Sequence, residues 1–474
     1  MSAETKSIYS PREIPLSSAR LSDFPNNPIA CLQQVHEECG EIAQIQEDGS
    51  KIVCVFDPKL IQQVLTDSQR FHSHFFALRG AKKSSQRRLT NGLLTMNGDE
   101  HRQHRRMVMK PFALPSIPAY DSIAERLTSE MLEEWQVGDV RDLDAELTTL
   151  MRRLTSAVLF GMDYPELSEA IGHATDRWVR LNHDTGMAAY VSGSFSDQYE
   201  ELLQLAADLE ERIRDLLQKR RQSKELGQDV LSILMQAHGR DGSIDDSQLI
   251  GHITLLFGAA HLTTAHTLIW TLFQLAQSPS IMRQLDAELE STTPEERTWD
   301  DKTSWGYRVL RESMRTLPAS AYLQRFCSEP VDLGAYHLPA GTGVLFSQYM
   351  THHRPEIYEA PYEYRPERWD HISPTPYQYF PFGAGPRMCI GAPMAMRSMG
   401  SILPKILRTF RLTVVPDAEI NANVISTMLA PTTPVPVQVH APDGQFSASR
   451  ITGSILSLVD LPEMPSLGAL RKAA

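Results

Sequence analysis

Cysteine is scarce in this chain of 474 residues, and the few that are present form no disulfide framework. The five cysteines are Cys31, Cys39, Cys54, Cys327 and Cys389. An odd number at irregular spacing is typical of a protein in a reducing compartment. The first residues, MSAETKSIYSPREIP, contain no apolar run, so we expect neither a signal peptide nor a membrane anchor there and predict a cytoplasmic protein.

Net positive charge is also lacking. Lysine and arginine total 46 against 58 aspartates and glutamates, which gives a formal net charge of −12. Nucleic-acid-binding domains are usually basic, so the sequence predicts no nucleic-acid partner. Hydrophobic residues make up 42% of the chain, which is enough to bury a large core and excludes global disorder.

One long segment lacks charge altogether. No Asp, Glu, Lys or Arg occurs between Ser247 and Met282, a length that would suffice to cross a bilayer. The segment nevertheless contains His252, His261 and His266 together with several threonines, and these polar groups would be costly facing lipid. We therefore predict a helix over about residues 249–276 that crosses the middle of a soluble protein.

Hydrophobic periodicity indicates a mainly α protein. Residues 99–290 show mostly helical spacing, interrupted at 183–197, where we predict a flexible connection between helices. Residues 41–57 and 330–346 are typical of short strands with turns, and the Pro-rich stretch 354–388 predicts an ordered meander. No internal repeat or clear linker occurs, so the pattern predicts one large domain with small β-sheets.

A glycine-rich loop surrounds one cysteine. In residues 380–391, FPFGAGPRMCIG, three glycines cluster around Cys389 just before an apolar helical run. Glycine lets the backbone approach a flat ligand closely, and a helix N-terminus favours a thiolate. A thiolate in this setting can ligate iron. On residue types alone, a buried structural cysteine explains the pattern equally well.

The loop FGAGPRMCIG resembles the haem-binding signature of the cytochrome P-450 monooxygenases, F-x-x-G-x-R-x-C-x-G, at every fixed position. The resemblance implies that Cys389 is the axial thiolate ligand of the iron of haem b, iron protoporphyrin IX. It also implies that Phe382 packs near the thiolate, that Gly383 belongs to the haem-binding loop and that Arg387 contacts a haem propionate. The implied fold is the P-450 fold, a single large domain with a buried haem.

Three further elements match the family. The run HRQHRRMVMK resembles the helix whose H-x-x-x-R contacts haem propionates, which assigns that role to His101 and Arg105. Their i, i+4 spacing puts both on one helix face. Arg325 lies where the family places another propionate-binding arginine, a looser match.

A second element is Glu312-x-x-Arg315, followed by Pro-Glu-Arg-Trp with Arg368. An isolated E-x-x-R is usually a solvated helix pair. In this order along the chain it resembles the family's buried Glu-Arg-Arg triad, which implies a structural role in locking the meander beneath the haem.

The third element is AAHLTTA in the long uncharged helix, which resembles the oxygen-activating stretch of the family. The resemblance implies catalytic roles for Thr263 and Thr264. Leu262, however, stands where the family usually carries an acid that supplies protons, and leucine carries none. His261 and His266 are alternative proton sources, although a buried histidine is more often simply hydrogen-bonded within the core.

The resemblance implies a haem-thiolate monooxygenase that inserts one oxygen atom from O2 into a small lipophilic substrate, such as a terpenoid, fatty acid or polyketide. Electrons would come from an external ferredoxin and ferredoxin reductase. One alternative is a peroxide-driven or rearranging haem-thiolate enzyme, which Leu262 favours. Another is a non-catalytic haem protein, against which the small Ala259 and Ala260 argue, because they leave room over the iron.

The resemblance also divides the chain. It implies an irregular N-terminal segment over 1–20, the haem-thiolate monooxygenase domain over 21–440 and a C-terminal extension of unknown role over 441–474. The extension contains apolar residues that either pack on the body or meet a partner. By analogy, substrate-cavity walls come from residues 72–95, 183–197, 255–263, 317–323 and 425–431.

Two basic stretches have different expected roles. Arg102, Arg106 and Lys110 form a candidate cationic patch for docking an acidic ferredoxin. The loop between Arg79 and Arg88 is also basic, and there we expect a solvated face, with an anion-binding role as the alternative.

Overall fold

The computed structural model describes residues 12–74, 78–113, 118–192, 198–223, 227–241, 244–293, 299 and 301–462. The helices in these ranges are α1 (Pro28–Cys39), α2 (Pro58–Thr66), α3 (Ser85–Leu89), α4 (Gly98–Val108), α5 (Pro118–Glu133), α6 (Leu143–Phe160), α7 (Pro165–Ser192), α8 (Gln198–Gln222), α9 (Val230–Asp241), α10 (Asp246–Ala276), α11 (Pro279–Ser291), α12 (Trp305–Thr316), α13 (Gln348–His352) and α14 (Ala392–Thr409).

The strands are short. They are β1 (Ile42–Glu47), β2 (Ser50–Val55), β3 (Phe71–His72), β4 (Val140–Asp142), β5 (Leu323–Cys327), β6 (Val331–Leu333), β7 (Tyr336–Leu338), β8 (Gly343–Phe346), β9 (Arg411–Val414), β10 (Ala422–Ile425), β11 (Met428–Pro431) and β12 (Pro436–His440). The largest sheet has the order β1-β2-β8-β5-β3, in which β2 and β8 are parallel and the other pairs antiparallel. A mainly α fold with small sheets was predicted and is confirmed.

Helix α10 crosses the core, as its lack of charge predicted. Its N-terminus carries a capping box in which Asp245 and Gln248 exchange side-chain-to-backbone hydrogen bonds. With 31 residues at about 1.5 Å each it is about 46 Å long. Of the helices in the described ranges it is the one long and apolar enough to cross a membrane, and most of its apolar stretch is buried against α6, α3, α12 and α14.

The backbone that follows α3 crosses the backbone of α10 in direct contact. A Cβ on Gly251 would lie 2.2 Å from the Asn91 oxygen, and one on Gly92 would lie 2.5 Å from the Gly251 oxygen. Only glycine therefore allows the two backbones to touch. Next to this crossing, the Leu93 N–H donates to His252 Nδ1 at 3.2 Å. The crossing places α3 and α4 beside the N-terminal part of α10.

The predicted break at residues 183–197 is wrong for its first part. Helix α7 runs without interruption to Ser192, and residues 193–197 lie outside the described part. Asn182 and Thr185 are buried, and α7 packs along α8. Gly186 inside the helix costs about 1 kcal/mol relative to alanine, and such packing outweighs a local cost of that size.

Both ends of the described chain pack on the body. Near the start, Arg12 pairs with Tyr336 and Leu16 pairs with Gln44 in isolated bridges. In residues 441–462, Ile451, Ile455, Leu458 and Val459 are buried, and Tyr349 Oη donates to the Leu458 oxygen at 2.7 Å. Of the two roles expected for the C-terminal extension, packing on the body is therefore correct for 441–462, while 463–474 lie outside the described residues.

Candidate functional site

The loop before α14 is shaped by two consecutive turns. Gly383 and Gly385 have φ values of +69° and +71°, which disfavour other residues. A Cβ on Gly385 would lie 2.3 Å from the Leu65 oxygen, so that position also requires close backbone contact. The Cys389 N–H donates to the Phe382 oxygen at 2.9 Å. The loop therefore presents Cys389 immediately before the first turn of α14.

Cys389 differs from the other cysteines in its accessibility. Cys31, Cys54 and Cys327 are buried and Cys39 is half-buried, whereas Cys389 is exposed. Protein atoms still surround the sulfur on its other sides, and this desolvation raises the pKa of the Cys389 thiol. The N–H groups of Gly391 and Ala392, together with Arg105, act in the opposite direction and lower that pKa. The thiol is thus accessible to a ligand and has donors aimed at it that favour a thiolate.

Three arginines and a histidine converge beside this loop. His101 and Arg325 are buried, and Arg105 and Arg387 are half-buried. In the part of the chain that the structure describes, no carboxylate lies within ion-pair distance of any of them. Burial and the three neighbouring guanidinium groups lower the pKa of His101 to about 4. The cluster therefore has concentrated positive charge without a counter-ion.

Backbone acceptors fix the arginines of this cluster. Arg105 Nη2 donates to the Met388 oxygen at 2.6 Å, and Arg325 Nη1 donates to the Gln324 oxygen at 2.8 Å. Arg387 Nη2 donates to the Met96 oxygen and, at 2.6 Å, to Asn97 Oδ1, while its buried Nε has no partner among the described residues. Burial lowers the pKa of Arg325 and of Arg387 to about 10. The arrangement fits a ligand with two carboxylates, such as the haem expected from the sequence.

Asn97 belongs to this site, although nothing in the sequence indicates its role. Its position before α4 is typical of an N-cap, but its side chain makes no capping bond. Instead, Asn97 Oδ1 accepts from Arg387 and from the Ser73 N–H, and its Nδ2 donates to the Ser73 oxygen. Because Asn97 and Arg387 are separated by 290 residues, only the fold reveals that they meet.

One face of α10 is open where the rest of the helix is buried. Ala259 is exposed, and Leu256, Ala260 and Thr263 are partly exposed. Their spacing of three and four residues puts them in one stripe. Helix α10 also packs on α14, at whose start Cys389 lies. An open stripe of mostly small residues on a helix that packs on α14 is the surface expected over a flat, buried cofactor.

The structure separates the two threonines predicted to be catalytic. Thr263 lies in the open stripe and donates through Oγ1 to the Ala259 oxygen at 3.0 Å. Thr264 is buried, and its Oγ1 donates to the Ala260 oxygen at 3.1 Å. Only the Thr263 hydroxyl therefore has lone pairs directed towards the open side.

Leu262 and the two histidines considered as proton sources lie away from the open stripe of α10. Leu262 is buried and apolar. His261 contacts the Phe257 oxygen through Nδ1 at 3.0 Å, and its Nε2 lies against the Asp176 carboxylate of α7. His266 is fully enclosed, and burial, followed by His261 and Arg180, lowers its pKa to about 3. His261 is thus a core histidine held by partners, and His266 is neutral at pH 7.

Glu312, Arg315 and Arg368 form one buried network. Glu312 accepts from Arg315 Nη2 at 2.8 Å and Nε at 3.0 Å, and from Arg368 Nε at 2.8 Å. The remaining guanidinium protons of both arginines go to carbonyl oxygens of residues 352–363. All three side chains are almost completely buried, so this is not a solvated helix pair.

The basic loop between residues 79 and 88 only partly matches the expected solvated face. Lys82 and Lys83 are exposed as expected. Arg79, Arg87 and Arg88 are half-buried, so the expectation is wrong for them. Arg87 and Arg88 belong to the short helix α3, which packs against both α8 and α10, and Arg79 lies in the loop before it.

A cavity of about 560 Å³ lies elsewhere in the molecule. It is lined by the C-terminal ends of α10 and α14, by α11 and by residues 442–447. None of the residues predicted to hold a cofactor lines it. The convergence of Cys389 with the arginine cluster therefore identifies the candidate site better than cavity size does.

Comparison with known proteins supports this assignment. The cytochrome P-450 family model matches residues 17–440. Cyclooctat-9-en-7-ol 5-monooxygenase from Streptomyces melanosporofaciens is 28% identical over 394 residues, covering 80% of this chain and 83% of the relative. Pentalenene oxygenase from Streptomyces avermitilis is 26% identical over 410 residues, covering 83% and 88%. Each of these names describes the reaction of that relative.

Solved structures share the fold. Retinoic-acid-bound cyanobacterial CYP120A1 superposes with a TM-score of 0.77 at 19% identity, covering 91% of this chain and all of that structure. CYP175A1 from Thermus thermophilus gives 0.69 at 23% identity, covering 89% and 97%. The P-450 fold predicted from the cysteine loop is confirmed.

The buried network gives a prediction on stability. Replacing Glu312 by Gln leaves two buried guanidinium groups without their carboxylate, which should lower the free energy of unfolding by about 3–5 kcal/mol. The matched control is Glu201→Gln, which breaks an exposed pair with Arg177 and should cost less than about 1 kcal/mol. Urea denaturation followed by circular dichroism measures both. Equal destabilisation by the two variants would contradict the structural role assigned to Glu312.

Proposed function

The chain belongs to the cytochrome P-450 family and is a P-450 monooxygenase, and we propose that it oxygenates a lipophilic, terpenoid-like substrate with haem b ligated by Cys389. The single observation that supports this assignment best is the site itself. An accessible cysteine in a glycine-shaped loop lies beside four cationic or ionisable groups that have no counter-ion in the described chain.

We assign the following roles in holding the cofactor. His101, Arg105, Arg325 and Arg387 bind the two propionates, whose negative charge replaces the missing counter-ions. The Cys389 thiolate would be the protein ligand of the iron and would supply electron density to it. When bound, haem b supplies the iron that activates O2. Gly383 and Phe382 form the backbone turn that directs the thiol.

Residues of α10 determine the space and the hydrogen bonds available on the open side of the cofactor. Ala259 and Ala260 leave space for O2 and substrate, because larger side chains in the stripe would fill it. Thr263 holds a proton at Oγ1, which it donates to the Ala259 oxygen, and its lone pairs accept hydrogen bonds from the open side. Thr264 supports the helix from the buried side and has no such access.

Protons must reach this side by a route without an acid at Leu262. Leu262 is buried and cannot carry a proton, and His266 is buried and neutral. We propose that ordered water beside Thr263 supplies the protons. The alternative that Leu262 favours is an enzyme driven by peroxide, which needs no reductase.

The substrate is proposed to be lipophilic. Residues 317–323 and 425–431, LPASAYL and ISTMLAP, are mostly apolar or small, which favours an apolar ligand. The names of two relatives, cyclooctat-9-en-7-ol 5-monooxygenase and pentalenene oxygenase, favour a terpenoid over a fatty acid or polyketide. We propose hydroxylation as the reaction and the cytoplasm as the location.

We propose that a ferredoxin, reduced by its reductase, docks next to the cysteine loop. Arg106 and Lys110 are exposed there, and the neighbouring Met109 and Met388 are exposed apolar side chains. Arg102 forms an ion pair with Asp99, so its charge is partly neutralised and it contributes less than the sequence suggested. A cationic surface with an apolar centre fits an acidic electron carrier.

The axial ligand can be tested by spectroscopy. In the reduced protein with carbon monoxide, wild type should show the red-shifted Soret band of a thiolate-ligated haem, and Cys389→His should lose it. Cys327→Ser, which changes a buried thiol in β5, should keep the band. A wild-type spectrum with only the band of a histidine-ligated haem would exclude Cys389 as the ligand.

Turnover separates the monooxygenase from the peroxide-driven alternative. Wild type should form product with ferredoxin, reductase and O2, and Thr263→Ala should lower the product formed per reductant consumed several-fold, because the hydroxyl that would hold the proton-supplying water is lost. Thr264→Ala is the control and should leave this ratio unchanged. Product that forms only with peroxide, and not with ferredoxin, reductase and O2, would refute the role given to Thr263. Equal effects of Thr263→Ala and Thr264→Ala would refute it too.

The docking surface predicts a salt-dependent rate. Arg106→Glu should slow reduction by ferredoxin about tenfold at low ionic strength, because electrostatic steering is lost, while substrate binding stays unchanged. Added salt should slow wild type and reduce the difference. Arg212→Glu, a charge reversal on the exposed side of α8, is the control. A rate that neither salt nor Arg106→Glu changes would place the partner elsewhere.

A further inference from the structure

The loop that leads into α3 is a rigid structure built around one glycine. Gly80 has φ of +68°, and a Cβ there would lie 2.8 Å from Ser84 Oγ. Gln86 Nε2 donates to the Leu78 oxygen at 2.7 Å, and Asn182 of α7 donates to the same oxygen at 3.2 Å. The backbone on either side of Arg79 is therefore fixed by both α3 and α7.

The guanidinium of Arg87 lies at the same place. Arg87 Nη2 donates to the Gly80 oxygen at 2.9 Å, which brings it against the backbone that follows Arg79. The Arg87 N–H donates in turn to Ser84 Oγ at 3.2 Å. Two arginines separated by eight positions in the sequence are thus held together by the turn between them.

Arg88, the third arginine of the loop, has an acidic partner, which Arg79 and Arg87 lack in the described chain. Arg88 forms a two-point ion pair with Glu210 of α8, with both distances at 2.7 Å. Arg79 and Arg87 are as enclosed as Arg88, yet neither forms an ion pair with a carboxylate in the described chain. The Nε atoms of both are buried and have no hydrogen-bond partner among the described residues.

Arg79 and Arg87 are two half-buried positive charges that form no ion pair among the described residues, and this arrangement is unfavourable unless an anion binds there. Burial, and then Arg87, lower the pKa of Arg79, and the Glu100 carboxylate, which forms no ion pair with it, offsets this only in part. A protein can remove this cost by pairing such residues with its own carboxylates, as it does at Arg88. An anion from outside would satisfy the free donors of both guanidinium groups in the same way.

This pair lies beside the propionate-binding cluster but is separate from it. The ring of His74 stacks on Phe326 with centroids 4.7 Å apart, and Phe326 is the neighbour of Arg325 in β5. His74 is within electrostatic reach of Arg79, because Arg79 contributes to lowering its pKa. Arg87 is bonded to Gly80, whereas Arg387 of the propionate-binding cluster is bonded to Met96 and Asn97.

We propose that Arg79 and Arg87 form a subsite for the terminal anion, a carboxylate or a phosphate monoester, of a lipophilic substrate. The inference rests on the proposed function, because the apolar part of such a substrate would extend from this pair towards the open stripe of α10. The pair would then fix one end of the ligand and so select which carbon is exposed to oxidation.

Matched ligands test the subsite. Farnesoic acid, farnesyl phosphate and farnesol share one apolar chain and differ at the end group. We expect at least one anion to bind wild-type holoenzyme at least about tenfold more tightly than farnesol at low salt. Dissociation constants are measured by calorimetry and by the shift of the Soret band. The tighter of the two anions identifies the end group.

Variants connect the preference to the two arginines. The double variant Arg79→Gln/Arg87→Gln should bind all three ligands within about threefold, with its affinity for farnesol unchanged, which shows that it is folded. The control Lys82→Gln/Lys83→Gln removes two exposed charges from the same loop and should keep the preference. Arg87→Lys should retain part of it.

Several results would overturn the proposal. They are equal affinity of wild type for all three ligands, a preference that survives in the double arginine variant, and a preference lost equally in the lysine control. Loss of haem from the arginine variant with its anion preference intact would assign the pair to the propionates instead. A wild type without the thiolate Soret band would refute the proposed function, whereas calorimetry would still report on the subsite.

Discussion

The buried carboxylate of Glu312 is the interaction on which the rest of the site depends. It binds two guanidinium groups and the backbone N–H of Arg365, and those guanidinium groups donate onward to carbonyl oxygens between residues 352 and 363. This stretch is rich in proline and has little regular structure to fix it. A buried ion pair is favourable only when its remaining donors are satisfied, and here the meander supplies the acceptors. The cysteine loop lies further along the same segment, after Arg368, whose side chain this network fixes.

Arginines in this protein occur in two contrasting states. Arg315 and Arg368 are deeply buried and bonded to a carboxylate, and Arg88 is paired with Glu210. The propionate-binding cluster and the pair formed by Arg79 and Arg87 are buried or half-buried and form no ion pair with a carboxylate in the described chain. Because enclosed charge is costly without compensation, the second state indicates where the molecule accepts anions. Two places meet that description, one proposed to bind the cofactor and one proposed to bind the substrate.

Helix α10 combines a structural and a chemical task. Its buried surface has no charged residue between Ser247 and the end of the helix at Ala276, which lets it pack on many other helices, among them α3, α6, α12 and α14. Its open stripe is limited to small residues, Leu256 and one hydroxyl. Leu262 stands where the family usually carries an acid, so this helix has no titratable group at that position, and the proposed proton route runs through water beside Thr263.

The sequence by itself determined the features that are local in the chain. The glycines of the cysteine loop, the uncharged helix, the short strands and the acid-arginine spacing of α12 all depend on residues within one turn or one element, and each was found where predicted. The tertiary structure alone decided which charges are paired. Arg88 meets Glu210 across 122 residues and Arg387 meets Asn97 across 290, so composition could not distinguish a solvated face from an anion site. It also decided that α7 continues through Gly186, because packing on α8 offsets a local preference of about 1 kcal/mol. Residues close together in the sequence determine which helices and strands form. Which side chains are buried and which charges are paired depends on contacts between distant parts of the chain.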